Sequence, residues 1–221
     1  MLERVGGIGG KEFEVEKPSF GVALVIVGID PSRNGENATQ LRVWTIKEKR
    51  NKPPTGKFAG QISLPGETRK IAGESLESNV AGALAEFTDD NFTIMNNLFF
   101  IPDFSRIQEK LLVNKNPFDV FVMIYEGPFD RPIEPVDRDE VSANGWMTME
   151  AIQKVDQTMV RGFVWDIILL EKSEGIISRA VNEYFHNPTK RVPLSTILPQ
   201  DFFSIEKFYE QREALQDVIA H

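Results

Sequence analysis

Two apolar runs constrain the fold of this chain more than any other feature of its sequence. Residues 20–29 read FGVALVIVGI, and residues 118–127 read FDVFVMIYEG. The first run is rich in β-branched side chains and lies between Pro18 and the pair Asp30-Pro31, which is typical of a central strand buried on both faces. We therefore expect an α/β fold in which both runs are strands of the core.

The composition limits the chemistry that such a fold can carry. The chain has 221 residues, and its net charge of −8 disfavours a surface that binds nucleic acid by neutralising phosphates. It contains no cysteine, which excludes disulfides, thiolate catalysis and cysteine-bound zinc. Only His186 and His221 are histidines, so a histidine-rich metal site or a Ser-His-Asp triad is disfavoured. Any metal is then expected to be a hard cation bound by carboxylates.

The pattern of the sequence divides the chain into three parts. We expect a flexible leader over residues 1–17, one α/β domain over residues 18–156, and a helical extension over residues 157–221 that packs on the domain or on a dimer partner. The leader lacks the apolar stretch of a secretory signal, and the longest apolar runs are too short to span a bilayer. We therefore expect a cytoplasmic protein without a membrane partner.

Periodicity and turn residues predict the remaining elements. Asn34-Gly35 predicts a turn that joins the first strand to a second one over residues 41–49. A helix with Thr148 as its N-cap is also expected. Further strands are predicted over residues 61–65, 97–104 and 145–147, further helices over residues 75–88, 158–172, 173–187 and 204–220, and a proline-containing linker over residues 188–202.

Several segments occur in the order found in the Nudix superfamily. The segment GQISLPGE is followed by AGES and by an amphipathic helix, which resembles the Nudix box, a loop–helix–loop. RVWTIKEKR before the box, FDVFVMIYEG after it and DEVSANGWMTMEAI late in the domain resemble further segments of the family. The resemblance covers most of residues 20–155. It implies a Nudix-type α/β/α sandwich around a mixed sheet, with glutamates of the box that bind Mg²⁺ to cleave a diphosphate linked to a nucleoside.

The box departs from the family pattern at positions that carry charge. Gly66 and Glu74 are separated by seven residues, where the family has five. The family's run Arg-Glu-hydrophobic-x-Glu-Glu corresponds to GALAEF, so Ala83 and Phe87 stand where the family has metal-binding glutamates. Glu86 is the one acid that matches. We expect replacement of Ala83 and Phe87 by glutamate to strengthen Mn²⁺ binding and to leave the fold intact.

The acidic candidates follow from the resemblance. Glu86 is the candidate catalytic and metal-binding residue, and Asp89 and Asp90 return to its helix face three and four residues later. A solvated helix end is the alternative interpretation of these two aspartates. Gly66 and Glu74 are expected to serve the structure of the loop and the helix, since an acid is also a favourable charge at a helix N-terminus. The remaining acidic candidates, whose alternative is plain solvation, are Glu67, Glu126 and Glu140.

Basic and aromatic residues near the box are candidates for contact with the ligand. Lys57, Arg69 and Lys70 could meet phosphates, and Trp44 could stack on a base. The alternative interpretations are isolated surface cations for the first three and a core aromatic for Trp44.

Two functions are compatible with these patterns. The first is a Nudix-fold module with a degraded metal site, which binds a nucleotide-like diphosphate ligand or a protein partner with little or no hydrolysis. The second is a hydrolase that uses Mg²⁺ or Mn²⁺ to cleave a substrate of the ADP-ribose, NADH or coenzyme A type. The missing glutamates favour the first. A homodimer formed through the C-terminal helices is compatible with both.

Overall fold

The computed structural model describes residues 21–29, 41–53, 56–68, 76–88, 93–101, 106–113, 116–127 and 133–197. The strands are β1 (Gly21–Ile29), β2 (Arg42–Glu48), β3 (Ile62–Ser63), β4 (Gly66–Thr68), β5 (Leu98–Phe100), β6 (Arg106–Val113), β7 (Asn116–Glu126), β8 (Val141–Thr148) and β9 (Val192–Pro193). The α-helices are α1 (Leu76–Leu84), α2 (Met149–Gln153), α3 (Gly162–Glu174), α4 (Ile176–His186) and α5 (Leu194–Ile197). Short 3₁₀ turns cover residues 93–97, 157–159 and 188–190.

The sheet is built around the parallel pairing of β1 with β7. This pairing runs without interruption from Gly21 opposite Phe118 to Ile29 opposite Glu126. The other strand pairings are antiparallel. On the edge of β1 away from β7, β2 and β4 pair with β1, and β3 and β8 pair in turn with β2. On the other side, β5 and β6 pair with β7, and β9 pairs with β5. The mixed sheet predicted from the sequence is therefore confirmed.

Alternate side chains of β1 enter two separate cores, because a pleated strand presents successive residues to opposite faces. Leu24 packs in a cluster with Leu84 of α1. Val25 packs on the other face, in a cluster with Ile167 of α3 and Ala180 of α4. Every residue of β1 is buried. This confirms the α/β/α sandwich and explains why residues 20–29 read as a continuous apolar run.

Some elements differ from the sequence predictions. The predicted strand at residues 61–65 is shorter in the structure, where β3 ends at Ser63 and a separate strand, β4, begins at Gly66 and pairs with β1. Pro65 lies between the two strands, and its carbonyl accepts a 2.8 Å hydrogen bond from the Leu24 N–H. Strand β6 was not predicted, since RIQEKLLV mixes four polar residues with apolar ones. Its order comes from pairing with β7, which is tertiary context that the local sequence does not contain.

Residues 157–197 pack on the sheet, with side chains of α3 and α4 in one of its two cores. The Arg161 N–H donates to the Ile62 carbonyl at 2.9 Å, and α3 and α4 are joined by Gly175 in a left-handed conformation with φ of 61°. The predicted linker is described as far as residue 197 and contains β9 and α5. The helix predicted over residues 204–220 lies outside the described residues. No helix in the described ranges is both long enough and apolar enough to cross a membrane.

Candidate functional site

The box helix ends earlier than its sequence predicts. Helix α1 stops at Leu84, and the chain closes into a tight turn in which the N–H groups of Phe87 and Thr88 both donate to the Leu84 carbonyl, at 2.9 and 2.8 Å. Glu86 and Phe87 therefore lie in this turn and not on the helix. Helix ends commonly tighten in this way, since the last carbonyls lack partners within the helix.

Two of the positions where the family has acids face the hydrophobic core. Ala83 and Phe87 are both 0% exposed. The Phe87 ring makes edge-to-face contacts with Trp44 and Tyr125, at centroid distances of 5.6 and 5.5 Å, and Trp146 completes the cluster at 6.2 Å. Phe87 therefore packs into the core. Glutamate at position 83 or 87 would be buried, so we expect the double replacement to destabilise the fold, in contrast to the expectation drawn from the sequence.

The Glu86 carboxylate is held close to the start of β4. It is 7% exposed, and its Oε2 accepts a 2.8 Å hydrogen bond from the Gly66 N–H. Burial raises the pKa of Glu86 well above its ordinary value; Lys57 and the Gly66 N–H act in the opposite direction, and nearby Glu48 and Glu67 raise it further. The strand start at Gly66 and the turn after α1 are thus joined through one buried carboxylate.

Lys57 lies among the acids of this region. Its Nζ is 2.8 Å from Glu48 Oε2 and 3.5 Å from Glu140 Oε2, and only 8% of the residue is exposed. Burial alone would lower the pKa of Lys57, but the negative charges of Glu86, Glu48 and Glu140 outweigh it, so the net pKa is above the ordinary value. The ammonium group is therefore charged at neutral pH.

Two further cations, Arg161 and Lys52, contact the carboxylates of Glu48 and Glu140 and neutralise part of their charge. Arg161 Nη1 lies 3.2 Å from Glu48 Oε1, and Lys52 Nζ lies 2.7 Å from both oxygens of Glu140. Glu48 itself is 2% exposed. Sequence reasoning missed Glu48 and Arg161. Glu48 could have been found from the sequence, because it is an acid at the end of a strand whose inward-facing side chains are otherwise apolar. Arg161 has no such local signal, because it lies in the segment after the predicted domain.

Glu67 is the acid that the fold brings next to α1. A Cβ atom built on Gly82 would lie 3.1 Å from Glu67 Cγ and 3.3 Å from its Oε2. The Glu67 side chain therefore covers the position where the family has an arginine. Its charge also contributes to the raised pKa of Glu86, which places Glu67 and Glu86 within electrostatic reach of each other.

The other predicted site residues have separate locations. Trp44 is 2% exposed and belongs to the aromatic cluster around Phe87. Glu126, at the end of β7, lies 3.7 Å from Arg191 Nη1. Five of the predicted residues lie outside the described part of the chain: Arg69, Lys70, Glu74, Asp89 and Asp90.

The donor set can be tested against the Mg²⁺ ion that the family resemblance implies. Such an ion takes oxygen ligands at about 2.0–2.1 Å in octahedral geometry. Among the described residues, no group of three or more histidine, aspartate or glutamate side chains is close enough together to hold a metal ion. Glu86 already accepts from the Gly66 N–H, and the positive charge of Lys57 lies within electrostatic reach of it. In this arrangement the described side chains do not fit Mg²⁺.

Comparison with known proteins gives structural likenesses only. No protein-family model and no curated protein matches the chain. The Nudix domain of Shewanella oneidensis NrtR, solved with ADP ribose, is 14% identical, with a TM-score of 0.42 over 71% of this chain and 88% of that one. A MutT/nudix family protein from Enterococcus faecalis is 16% identical, with a TM-score of 0.44 over 86% and 71%. The Nudix hydrolase RenU from M. smegmatis is 10% identical, with a TM-score of 0.43 over 73% and 91%. The backbone trace of this chain is therefore similar to those of Nudix structures. Nudix is also the family that its sequence segments resemble.

Proposed function

We propose that this chain is a Nudix-type module that binds a nucleotide-linked diphosphate ligand with little or no hydrolysis. The observation that carries the proposal is the state of Glu86, the one acid that matches the family's metal-binding run. Its carboxylate is buried and accepts from the Gly66 N–H. A metal ion would have to compete with this hydrogen bond and with the neighbouring ammonium group of Lys57.

The aromatic cluster supports the same proposal. Phe87 occupies a position where hydrolysis would need an acid, and its ring is enclosed by Trp44 and Tyr125. Hydrated metal cannot enter such an apolar cluster without the loss of its packing. The ligand class comes from the resemblance of the sequence segments. ADP-ribose is the first ligand to try, because it carries both a nucleoside and a diphosphate.

The test measures binding and turnover separately. Calorimetric titration with ADP-ribose in EDTA should give saturable binding without added metal. Chromatographic assays with ADP-ribose, NADH, coenzyme A and nucleoside triphosphates in Mg²⁺ or Mn²⁺ should give no turnover above the buffer control. The Glu86→Gln variant should still bind the ligand. Rapid metal-dependent turnover that Glu86→Gln abolishes would refute the proposal.

The position of Glu67 favours a second candidate function, a hydrolase with a rearranged set of acids. Glu67 lies over Gly82 on the α1 surface, within electrostatic reach of Glu86. It could supply an acid that the sequence pattern lacks at position 83. Turnover that Glu67→Gln and Glu86→Gln both abolish, while Glu134→Gln leaves it unchanged, would favour this hydrolase; Glu134 is an exposed acid near an arginine.

The predictions of a homodimer and of a cellular location rest on the sequence alone. A homodimer through the C-terminal helices and a cytoplasmic location remain proposals. Leu169 of α3 and Phe185 of α4 are half exposed or more, so sedimentation of the full chain is the direct measurement for the homodimer. A sedimentation coefficient that rises with protein concentration would support it, and a constant monomer value would refute it.

A further inference from the structure

We infer that Phe58 and Met159 form the site that takes the base of a nucleotide ligand, with the flat base against the Phe58 ring and the Met159 thioether. The ligand class is that of the proposed function, on which this inference rests. The two residues belong neither to the box helix nor to the acids near it.

The two side chains are exposed and border one turn. Phe58 is 48% exposed and Met159 is 44% exposed. Phe58 begins a turn that ends at Gln61, whose N–H donates to the Phe58 carbonyl at 3.2 Å. Gly60 lies within this turn with φ of 88°, and the Met159 methyl carbon would be 3.6 Å from a Cβ built on it. The fold thus brings together two apolar side chains from distant parts of the sequence.

Gln61 holds the two segments in place. It is 8% exposed, its Oε1 accepts from the Phe58 N–H at 2.9 Å, and its Nε2 donates to the Thr158 carbonyl at 3.1 Å. The second segment is fixed again by the parallel bridge between Ile62 and Val160. A surface whose segments are already held in place loses little freedom when a ligand binds.

The patch is too small for a protein partner. A whole aromatic side chain buries about 150–250 Å², so Phe58 and the smaller Met159, each about half exposed, offer at most about 200 Å² together. A stable protein interface buries about 800 Å² per partner. Leu169 and Phe185, the other large apolar side chains that are exposed in the described ranges, belong to α3 and α4 and not to this turn. The patch therefore matches a small, flat ligand.

The chemistry of the patch favours a nucleobase. Every base has a π-face that stacks on an aromatic side chain, and a thioether makes favourable contacts with aromatic rings. The rim is polar, since Asn51 and Thr158 are exposed and the Asn51 Oδ1 accepts from the Ala59 N–H at 2.8 Å. A ring with an apolar face and a polar edge suits these surroundings.

The first experiment measures the affinity for ADP-ribose by calorimetry in EDTA. Phe58→Ala should weaken binding at least about fivefold, the lower end of the range for stacking of one base on an aromatic side chain. Phe58→Trp should keep the affinity, because it keeps a ring. Phe185→Ala is the matched control, since Phe185 is 50% exposed but lies on α4, and it should leave the affinity unchanged.

The second experiment observes Met159 directly. The chain has six methionines, so ¹³C-methyl labelling gives a simple NMR spectrum in which Met159→Leu identifies the Met159 signal. ADP-ribose and AMP should shift this signal in the wild type, because a base close to the methyl group changes its ring-current field. Ribose 5-phosphate, which has no base, should not shift it, and the shift should be lost in Phe58→Ala.

The outcomes separate this inference from the proposed function. If ADP-ribose binds with the same affinity to the wild type and to Phe58→Ala and leaves the Met159 signal in place, the base site is overturned and the proposed function stands. If ADP-ribose does not bind but AMP shifts the Met159 signal, the base site stands and the proposed diphosphate ligand fails. A Met159 signal that neither nucleotide moves overturns the base site.

Discussion

The Phe87 ring meets the Trp44 indole edge to face, with their centroids 5.6 Å apart. Trp44 belongs to β2 and Phe87 to the turn after α1, so this contact fastens the end of the box helix to the sheet. Both side chains are at most 2% exposed. The position that corresponds to a metal-binding acid in the family is, in this chain, part of the packing that holds α1 in place.

The first prediction concerns this packing. Phe87→Ala should lower the free energy of unfolding by about 3–5 kcal/mol, the usual cost of deleting a fully buried ring, and Phe87→Leu should cost less. Phe87→Glu should cost more than Phe87→Leu, because it buries a carboxylate among aromatic rings. Urea denaturation followed by tryptophan fluorescence measures all three. Wild-type stability in Phe87→Glu would contradict the assignment of this side chain to the core.

The second prediction concerns pH. The pKa of Glu86 is raised above its ordinary value of 4.5 by burial, so its contribution to stability is fully present below that ordinary value and is lost as the pH rises through the raised folded-state pKa. Glu86→Gln removes this loss, since glutamine keeps an oxygen that can accept from Gly66. The stability of Glu86→Gln relative to wild type should therefore increase as the pH is raised from about 4 to 8. A constant difference over this range would show that Glu86 does not titrate as described.

The third prediction concerns a glycine in β8. Gly145 has φ of 101°, and a Cβ built on it would meet no atom within 4 Å outside its own residue and its two chain neighbours. Asn144 is the extra residue of a bulge, since Thr45 pairs with Gly145 and Ile46 with Ala143. Gly145→Ala should cost about 1–3 kcal/mol from backbone strain alone. Gly162→Ala is the control, because it also has free space but no positive φ; equal effects of the two substitutions would contradict the strain argument.

The fourth prediction concerns the segment after residue 156. Arg161→Met removes the 3.2 Å contact with Glu48 Oε1 and should lower the free energy of unfolding by about 1.5–3 kcal/mol, the range for hydrogen bonds to charged groups. Arg50→Met is the matched control, because the Arg50 and Asp139 side chains are 53% and 71% exposed. Such a surface pair contributes about 0–1 kcal/mol. An Arg161→Met protein as stable as Arg50→Met would mean that Arg161 does not support Glu48.

Much of the fold could be predicted from the sequence, because the signals were local. The run at residues 20–29 gave a central strand, and Thr148 caps α2 by accepting from the Ala151 N–H, as predicted. The site could be predicted only in part. Lys57 was a candidate for contact with phosphate. The sequence near Lys57 does not indicate that Glu48 and Glu140 are its partners in the folded protein. The ion pairs join positions up to 113 residues apart, and such pairing depends on the folded topology alone.

The parallel pairing of β1 with β7 also has a consequence for how the chain reaches its native state. Gly21 pairs with Phe118, a separation of 97 residues, and every later pair in the ladder has the same separation. Contacts of such long range slow folding, because the entropy of closing the loop is lost before the contacts form. During synthesis, β1 cannot form its parallel pairing until β7 has left the ribosome. Until then the apolar side chains of β1 lack their parallel partner strand, and exposed apolar surface with an unpaired strand edge makes a nascent chain prone to aggregation.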